Sequence, residues 1–281
     1  RWRIMPHHLL DIIKEDNDPG RPRLLILNYP GNPEGQSYSE DELEAIATIA
    51  RKYNIIILSD EIYGRIHHEG KHISIARFYP EGTIVSSGLS KWCGAGGWRI
   101  GTFSFPKELI WLLEPMNAVA SETYTSVSAP IQYGAITAYE GGNEIDEYLI
   151  HSRRILKVLG TTIFEILQQA NIRIHKPEGA FYLFPDFSDY SESLHKRNIF
   201  DSQTFCETLL NETGVALLPG SAFGRNPEEF TSRLAYVNFN GEKALNDSMK
   251  IPLNQELNIQ NLGGNIDSLI TGVNQIINWI Q

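Results

Sequence analysis

Cysteine is scarce in this 281-residue chain: Cys93 and Cys206 stand far apart, outside any CxxC spacing. That excludes a disulfide framework and a cysteine-built zinc site, and it favours a reducing, cytoplasmic setting. No run approaches ~18 consecutive apolar residues, so no membrane-spanning helix is expected. The opening residues RWRIMP lack both the apolar core of a secretory signal and an initiator methionine, and the chain is expected to start part-way into a longer protein. Basic residues are in the minority, 24 Lys and Arg against 34 Asp and Glu, for a net charge of −10. Nucleic acid, whose phosphates attract basic surfaces, is therefore not an expected partner. There is no GxGxxG turn and no GxxxxGK loop, which removes the dinucleotide and P-loop readings.

What is present reads as an ordinary soluble composition, 42% hydrophobic and 21% charged, long enough for one large domain or two moderate ones. Residues 23–28 (RLLILN), 54–59 (NIIILS) and 83–87 are short apolar runs that read as buried strands. Between the first two, Ser39 followed by Glu42 spells a capping box, and Leu43, Ile46, Ala47 and Ala50 form an apolar helical stripe. Strand, helix, strand in this rhythm predicts parallel βαβ units in an α/β fold, with polar residues gathered after the strand ends, where open sheets bind ligands. From 144 to 170 the pattern predicts one long helix. Short strand-like pieces follow at 179–184, 215–218 and 233–239, which suggests a smaller α+β domain. The expected division is 1–143 for a large domain and 144–281 for the connecting helix and small domain. Residues 241–263, rich in Asn, Gln, Lys and Gly, read as a surface loop.

The chemistry collects around Lys91. A lysine is ordinarily a solvated surface charge, but this one follows Ser86-Ser87-Gly88-Leu89-Ser90 at the end of a strand and precedes a glycine-rich stretch ending in Trp98-Arg99. Partial desolvation would make its amine a nucleophile toward an aldehyde. The hydroxyls and the Arg99 guanidinium suit a phosphate, with the glycines at 94, 96, 97 and 101 allowing close approach. Pyridoxal phosphate carries both groups. Asp60 ends a predicted buried strand and needs a partner there; that partner is a helix terminus, an arginine or a protonated pyridine nitrogen. Tyr63 and Asn32 are candidates for the same ligand, although Asn32-Pro33 also reads as a plain turn. Arg233 is either a structural ion pair or a fork for a substrate carboxylate. His67, His68 and His72 resemble a metal cluster only superficially, in a loop-like stretch, and no metal site is expected.

These segments together resemble the class-I/II aminotransferases of the fold-type-I pyridoxal phosphate enzymes. The carriers are Tyr29-Pro30-Gly31-Asn32-Pro33-Glu34-Gly35, Ser59-Asp60-Glu61-Ile62-Tyr63, the Ser90-Lys91 to Gly101 stretch, Pro177-Glu178-Gly179-Ala180-Phe181-Tyr182, Pro219-Gly220-Ser221-Ala222-Phe223-Gly224 and Ser232-Arg233-Leu234, in the family's order. The resemblance implies a mostly parallel sheet sandwiched by helices, with a smaller C-terminal α+β domain. It also implies that Lys91 holds the cofactor as an internal aldimine and moves the substrate proton. Asp60 would meet the pyridine nitrogen, Tyr63 and Asn32 the ring oxygen, Ser90 and Arg99 the phosphate. Arg233, with Asn32, would bind the substrate carboxylate. The implied reaction is ping-pong transfer of an amino group from an α-amino acid to a 2-oxo acid, in a homodimer to which the segment at Tyr124-Thr125-Ser126 contributes. A lyase or synthase on the same scaffold, and a sensor domain of a transcription regulator, are the alternatives. The chain departs from the family pattern at Gly88, where serine is common, and at Glu34, where threonine is common. The family's upstream phosphate-binding turn and stacked aromatic are not seen in this sequence.

Overall fold

The computed structural model describes residues 3–281 apart from 17 and 19. Two compact units are present, Arg1–Gly31 with Ser37–Leu149, and Asn32–Gln36 with Ile150–Gln281.

The first unit opens with α1 (Pro6–Glu15), whose Leu9 and Ile13, one turn apart, are buried. Strand β1 (Leu24–Asn28), helix α2 (Glu40–Lys52) and strand β2 (Ile56–Asp60) follow as a βαβ unit, then β3 (Thr83–Gly88) and β4 (Gly101–Ser104). The sheet order is β1-β2-β3-β4, with the first three strands parallel and β4 antiparallel to β3. The capping box forms as its spacing predicts: the Glu42 amide donates to Ser39 Oγ at 3.2 Å, and the Ser39 amide donates to Glu42 Oε2 at 2.8 Å. Acidic residues fill the first turn of α2 and Arg51 and Lys52 the last, each sign matching its end of the helix dipole. The stripe Leu43, Ile46, Ala47, Ala50 packs with Leu27 and Ile57 of the sheet and with Leu9 and Ile13 of α1 in one buried cluster.

Two sheet features differ from the sequence reading. Strand β1 is not buried on both faces: Leu25 packs against the cluster and Leu27 is buried in it, while Leu24 and Ile26 are exposed. The strand alternates, and α2 covers one face of an edge strand. Strand β4, not foreseen, is exposed at all four positions. Beyond it lie α3 (Leu113–Thr123), α4 (Ala129–Glu140) and the long α5 (Asn143–Gln169), within one residue of the expected 144–170. The change of unit falls inside α5.

In the second unit, α5 tolerates Gly160 because space requires it: a Cβ there would come within 2.8 Å of Tyr236 Oη and 2.9 Å of Pro177 Cγ. The unit continues with β5 (Tyr182–Leu183), α6 (Ser191–Lys196), α7 (Ser202–Thr213), β6 (Leu218–Pro219), β7 (Ser232–Ala235), α8 (Gly241–Met249) and α9 (Asp267–Ile280). The three strands form an antiparallel sheet in the order β5-β7-β6. The loop expected at 241–263 is instead α8 followed by an extended turn and the start of a 3-10 segment. Asn240 caps α8, accepting from the Lys243 amide at 3.0 Å. Ser248 is buried against His151 Nδ1 at 2.8 Å, and Arg154 donates to the carbonyls of Ile251, Pro252 and Gln255. Polar side chains here do the holding that apolar ones do elsewhere, so hydrophobic periodicity missed them. Among the described residues, no helix is long and apolar enough to cross a membrane.

Replacing Ser39 with Ala removes one of the two reciprocal caps of α2, and the expected loss is about 1 kcal/mol. Urea denaturation of the variant against the unaltered protein measures it.

Candidate active site

Parallel register brings the ends of three strands level. Asn28 lies opposite Asp60, and Asp60 opposite Ser86. Asn28 Nδ2 donates to Asp60 Oδ2 at 3.0 Å and to its carbonyl at 3.2 Å, and the Ile62 amide donates to Oδ1 at 3.3 Å. Burial pushes the Asp60 carboxyl above its ordinary value, opposed by the hydrogen bonds from the Ile62 amide and the Asn28 side chain and reinforced by the negative charge of Glu61. No cation pairs with Asp60 among the described residues. A carboxylate so placed calls for a positively charged partner.

The next residue has the opposite environment. The Glu61 amide donates to Ser86 O at 2.9 Å. Its Oε1 accepts from Ser59 Oγ at 2.8 Å and from Ser74 Oγ at 2.6 Å, and its Oε2 lies 2.8 Å from His72 Nε2. Burial works against the Glu61 charge, but hydrogen bonds from His72, Ser74 and Ser59 outweigh it and hold the carboxyl below its ordinary value. The His72 ring lies 5.1 Å from the ring of Tyr29, whose hydroxyl accepts from the Ile75 amide at 2.7 Å. His72 Nδ1 is buried without a hydrogen-bond partner. The histidine that resembled part of a metal cluster is thus committed to a carboxylate.

Tyr63 is buried at the end of the turn that Gly64 closes onto Glu61 O. Lys91 Nζ stands 5.6 Å from the centre of its ring, within the range where a cation is attracted to an aromatic face. Lys91 sits in a turn between Leu89 and Trp92, both buried, which leaves Ser90 and Lys91 half-buried at its crest. Ser90 Oγ makes no hydrogen bond to the described residues. The glycine that packing demands is Gly88, where a Cβ would come within 2.9 Å of Ile100 O; at Gly97 a Cβ would meet nothing within 4 Å. Arg99 adopts a left-handed backbone, φ 53° and ψ 47°, and its exposed side chain folds back so that Nη1 donates to Gly96 O at 2.9 Å. The first unit therefore brings Lys91 to Tyr63 and leaves Arg99 on its own turn.

In the second unit, Arg233 on β7 donates from Nη1 to Asn32 Oδ1 at 2.9 Å, across 201 positions of sequence. Its guanidinium lies 4.7 Å from the Tyr182 ring and 5.2 Å from the Phe223 ring. Arg233 Nε is buried without a partner, and no carboxylate pairs with the side chain among the described residues. The loop bearing Asn32 is tied down by Gly35, whose carbonyl accepts from the amides of Glu178 and Gly179 at 2.8 and 3.0 Å. Gly35 has φ +70°, and a Cβ there would meet Tyr182 O at 2.7 Å. Sequence reasoning passed over Asn28, Glu61, Ser74 and the pairing role of His72. The available signal was strand alternation, which sets Ser59 and Glu61 on one face and Asp60 on the other.

The family model for aminotransferase class I and II matches residues 1–240, and the chain belongs to that family. It is 34% identical over 240 residues to an aspartate aminotransferase of Bacillus subtilis, covering 84% of this chain and 57% of that protein. It is 36% identical over 227 residues to an asparagine–oxo-acid transaminase of Streptococcus mutans, covering 77% and 53%. Among solved structures, an aromatic aminotransferase from Pyrococcus horikoshii is 30% identical with a TM-score of 0.70, covering 86% of this chain and 61% of that one. A Thermus thermophilus aspartate aminotransferase with maleate is 30% identical at a TM-score of 0.68, covering 87% and 58%. The chain spans a little over half the length of the curated relatives it matches.

The depressed Glu61 carboxyl contributes stability that is present above its unfolded value and lost as pH falls through its folded one. Ser74→Ala removes one of its charged hydrogen bonds. The expected cost is about 1.5–3 kcal/mol at pH 7, shrinking in acid as Glu61 takes its proton below the ordinary carboxylate range. Urea midpoints at neutral and at acid pH measure the difference.

Proposed function

We propose that this chain carries the reacting groups of a pyridoxal-phosphate-dependent aminotransferase, which moves an amino group from an α-amino acid to a 2-oxo acid by a ping-pong mechanism. The observation that carries this reading is Asp60: a half-buried carboxylate at a strand end, hydrogen-bonded on both oxygens and with no cation beside it among the described residues. A protonated pyridine nitrogen would supply the missing charge. When bound, the cofactor offers an aldehyde to an amine and a cationic ring that withdraws electrons from the substrate's Cα.

The chain's own residues divide the remaining work. Asp60 would pair with the ring nitrogen and favour its protonated form. Lys91 Nζ would be the amine that holds the cofactor through its aldehyde carbon, and the group placed to carry the Cα proton. The Tyr63 hydroxyl and the Asn32 amide donate to the ring oxygen; Asn32 already spends its own oxygen on Arg233, so its Nδ2 has the right polarity. Ser90 and Arg99 bind the phosphate, for which Arg99 turns N–H groups from its own loop to the ligand. Arg233, stacked on Tyr182 and Phe223 so that its fork is held flat, takes the α-carboxylate through two parallel hydrogen bonds. The similar proteins are variously named for aspartate, asparagine and aromatic substrates, and the donor is accordingly proposed as an α-amino acid without a side-chain class. The proposal extends to a homodimer, and two free thiols fit a cytoplasmic setting.

Borohydride reduction of the protein loaded with pyridoxal phosphate, followed by peptide mapping, is expected to find the label on Lys91. Lys91→Ala is expected to lose that label and to lower kcat by about 10²–10⁴-fold. A label on another lysine, or normal turnover by the variant, contradicts the assignment.

A further inference from the structure

Asp60 and Glu61 are consecutive carboxylates at one strand end, and only Asp60 has a role in the proposed chemistry. Glu61 is nevertheless the better held. Its two oxygens receive Ser59, Ser74 and His72 at 2.6–2.8 Å, its amide is fixed on Ser86 O, and its side chain is nearly as buried as the core. An ionised carboxylate only accepts hydrogen bonds, so His72 must present Nε2–H to it. His72 Nδ1, on the far side of the ring, is buried without a hydrogen-bond partner.

We infer that Glu61 is a positioning residue for Asp60: the Ser59–Ser74–His72 cluster fixes a permanent negative charge one residue behind Asp60, and that charge makes the Asp60 site select a cationic ring nitrogen over a neutral ring. The inference rests on the reading of Asp60 as the partner of the pyridine nitrogen. Successive residues of an extended chain point to opposite faces, so the two carboxylates do not compete for one ligand. Glu61 acts on Asp60 through its field alone, while its amide and the contacts of Asn28 and Tyr29 to the Asp60 carbonyl hold the backbone between them. The titratable groups around Glu61 are Asp60 on its own strand end, His72 from the following loop and Tyr29 from the end of β1. Tyr29 is a buried phenol that burial and the Glu61 charge both keep protonated. The effect of the Glu61 charge is a stronger demand for a proton at Asp60, met either by protonation of the empty site or by a ligand that brings one.

The test compares the affinity for pyridoxal phosphate with that for its 1-deaza analogue, which has a carbon in place of the ring nitrogen, by fluorescence titration at neutral pH. The unaltered protein is expected to prefer the nitrogen-bearing ligand. Glu61→Gln, which keeps the shape and removes the charge while turning one acceptor oxygen into a donor, is expected to reduce that preference on the order of tenfold, the scale of one unit charge at close range. Ser74→Ala, which removes a hydrogen bond and keeps the charge, is expected to leave the ratio unchanged even where both affinities fall. Equal losses for both ligands in Glu61→Gln would overturn the inference while leaving the role of Asp60 intact. No preference in the unaltered protein would overturn the role of Asp60 as well. Carbon-13 carboxyl titration of the unliganded protein, with Asp60 assigned from its absence in Asp60→Asn, needs no Glu61 variant. Glu61 is expected to remain ionised through the range in which Asp60 takes its proton, and the reverse order contradicts the inference.

Discussion

The parallel register of β1, β2 and β3 is the constraint on which the first unit's chemistry depends. It aligns Asn28, Asp60 and Ser86 in one row, and each then performs a different task. Asn28 donates to the Asp60 carboxylate, Ser86 accepts the Glu61 amide, and Asp60 is left with oxygens committed only to weak neutral donors. A slip of one residue would exchange Asp60 with Glu61 between the faces of the sheet. The apolar packing of α2 against Leu27 and Ile57 prevents that slip, because the same slip would also turn those side chains away from the cluster.

Neighbouring carboxylates in contrasting environments are a way of giving two like groups separate duties. Burial raises Asp60, and dense hydrogen bonding lowers Glu61 despite burial. The first takes a proton more readily than an ordinary carboxylate, and the second keeps its charge more firmly. The second unit repeats the principle with the sign reversed. Arg233 has a buried Nε without a partner, one hydrogen bond to Asn32 and two aromatic faces, but no acidic group to neutralise it among the described residues.

Much of this was legible in the sequence, for identifiable reasons. The capping box at Ser39 and Glu42, the stripe of α2 and the long α5 follow from local spacing, and local spacing survives folding. Asp60, Tyr63 and Lys91 stand out in the sequence because polar residues after apolar runs mark strand ends, and the structure brings Lys91 Nζ to the Tyr63 ring. What escaped depends on contacts between distant positions. Glu61 finds His72 eleven residues away through a loop. Strand β4 is short and exposed, without an apolar run to announce it, and α8 is held by Asn240, Ser248 and Arg154 rather than by a stripe. Glycine was misread in the same way: four glycines stood out by clustering, yet at Gly88 the need for glycine comes from Ile100 O in the adjoining strand connection.

The chemistry proposed for the first unit depends on Asp60 meeting a protonated ring nitrogen. Nitrogen-15 NMR of the protein loaded with pyridoxal phosphate labelled at the ring nitrogen tests this directly. A protonated nitrogen is expected at neutral pH, becoming unprotonated in Asp60→Asn. An unprotonated nitrogen in the unaltered protein, or one whose state ignores the substitution, would contradict it.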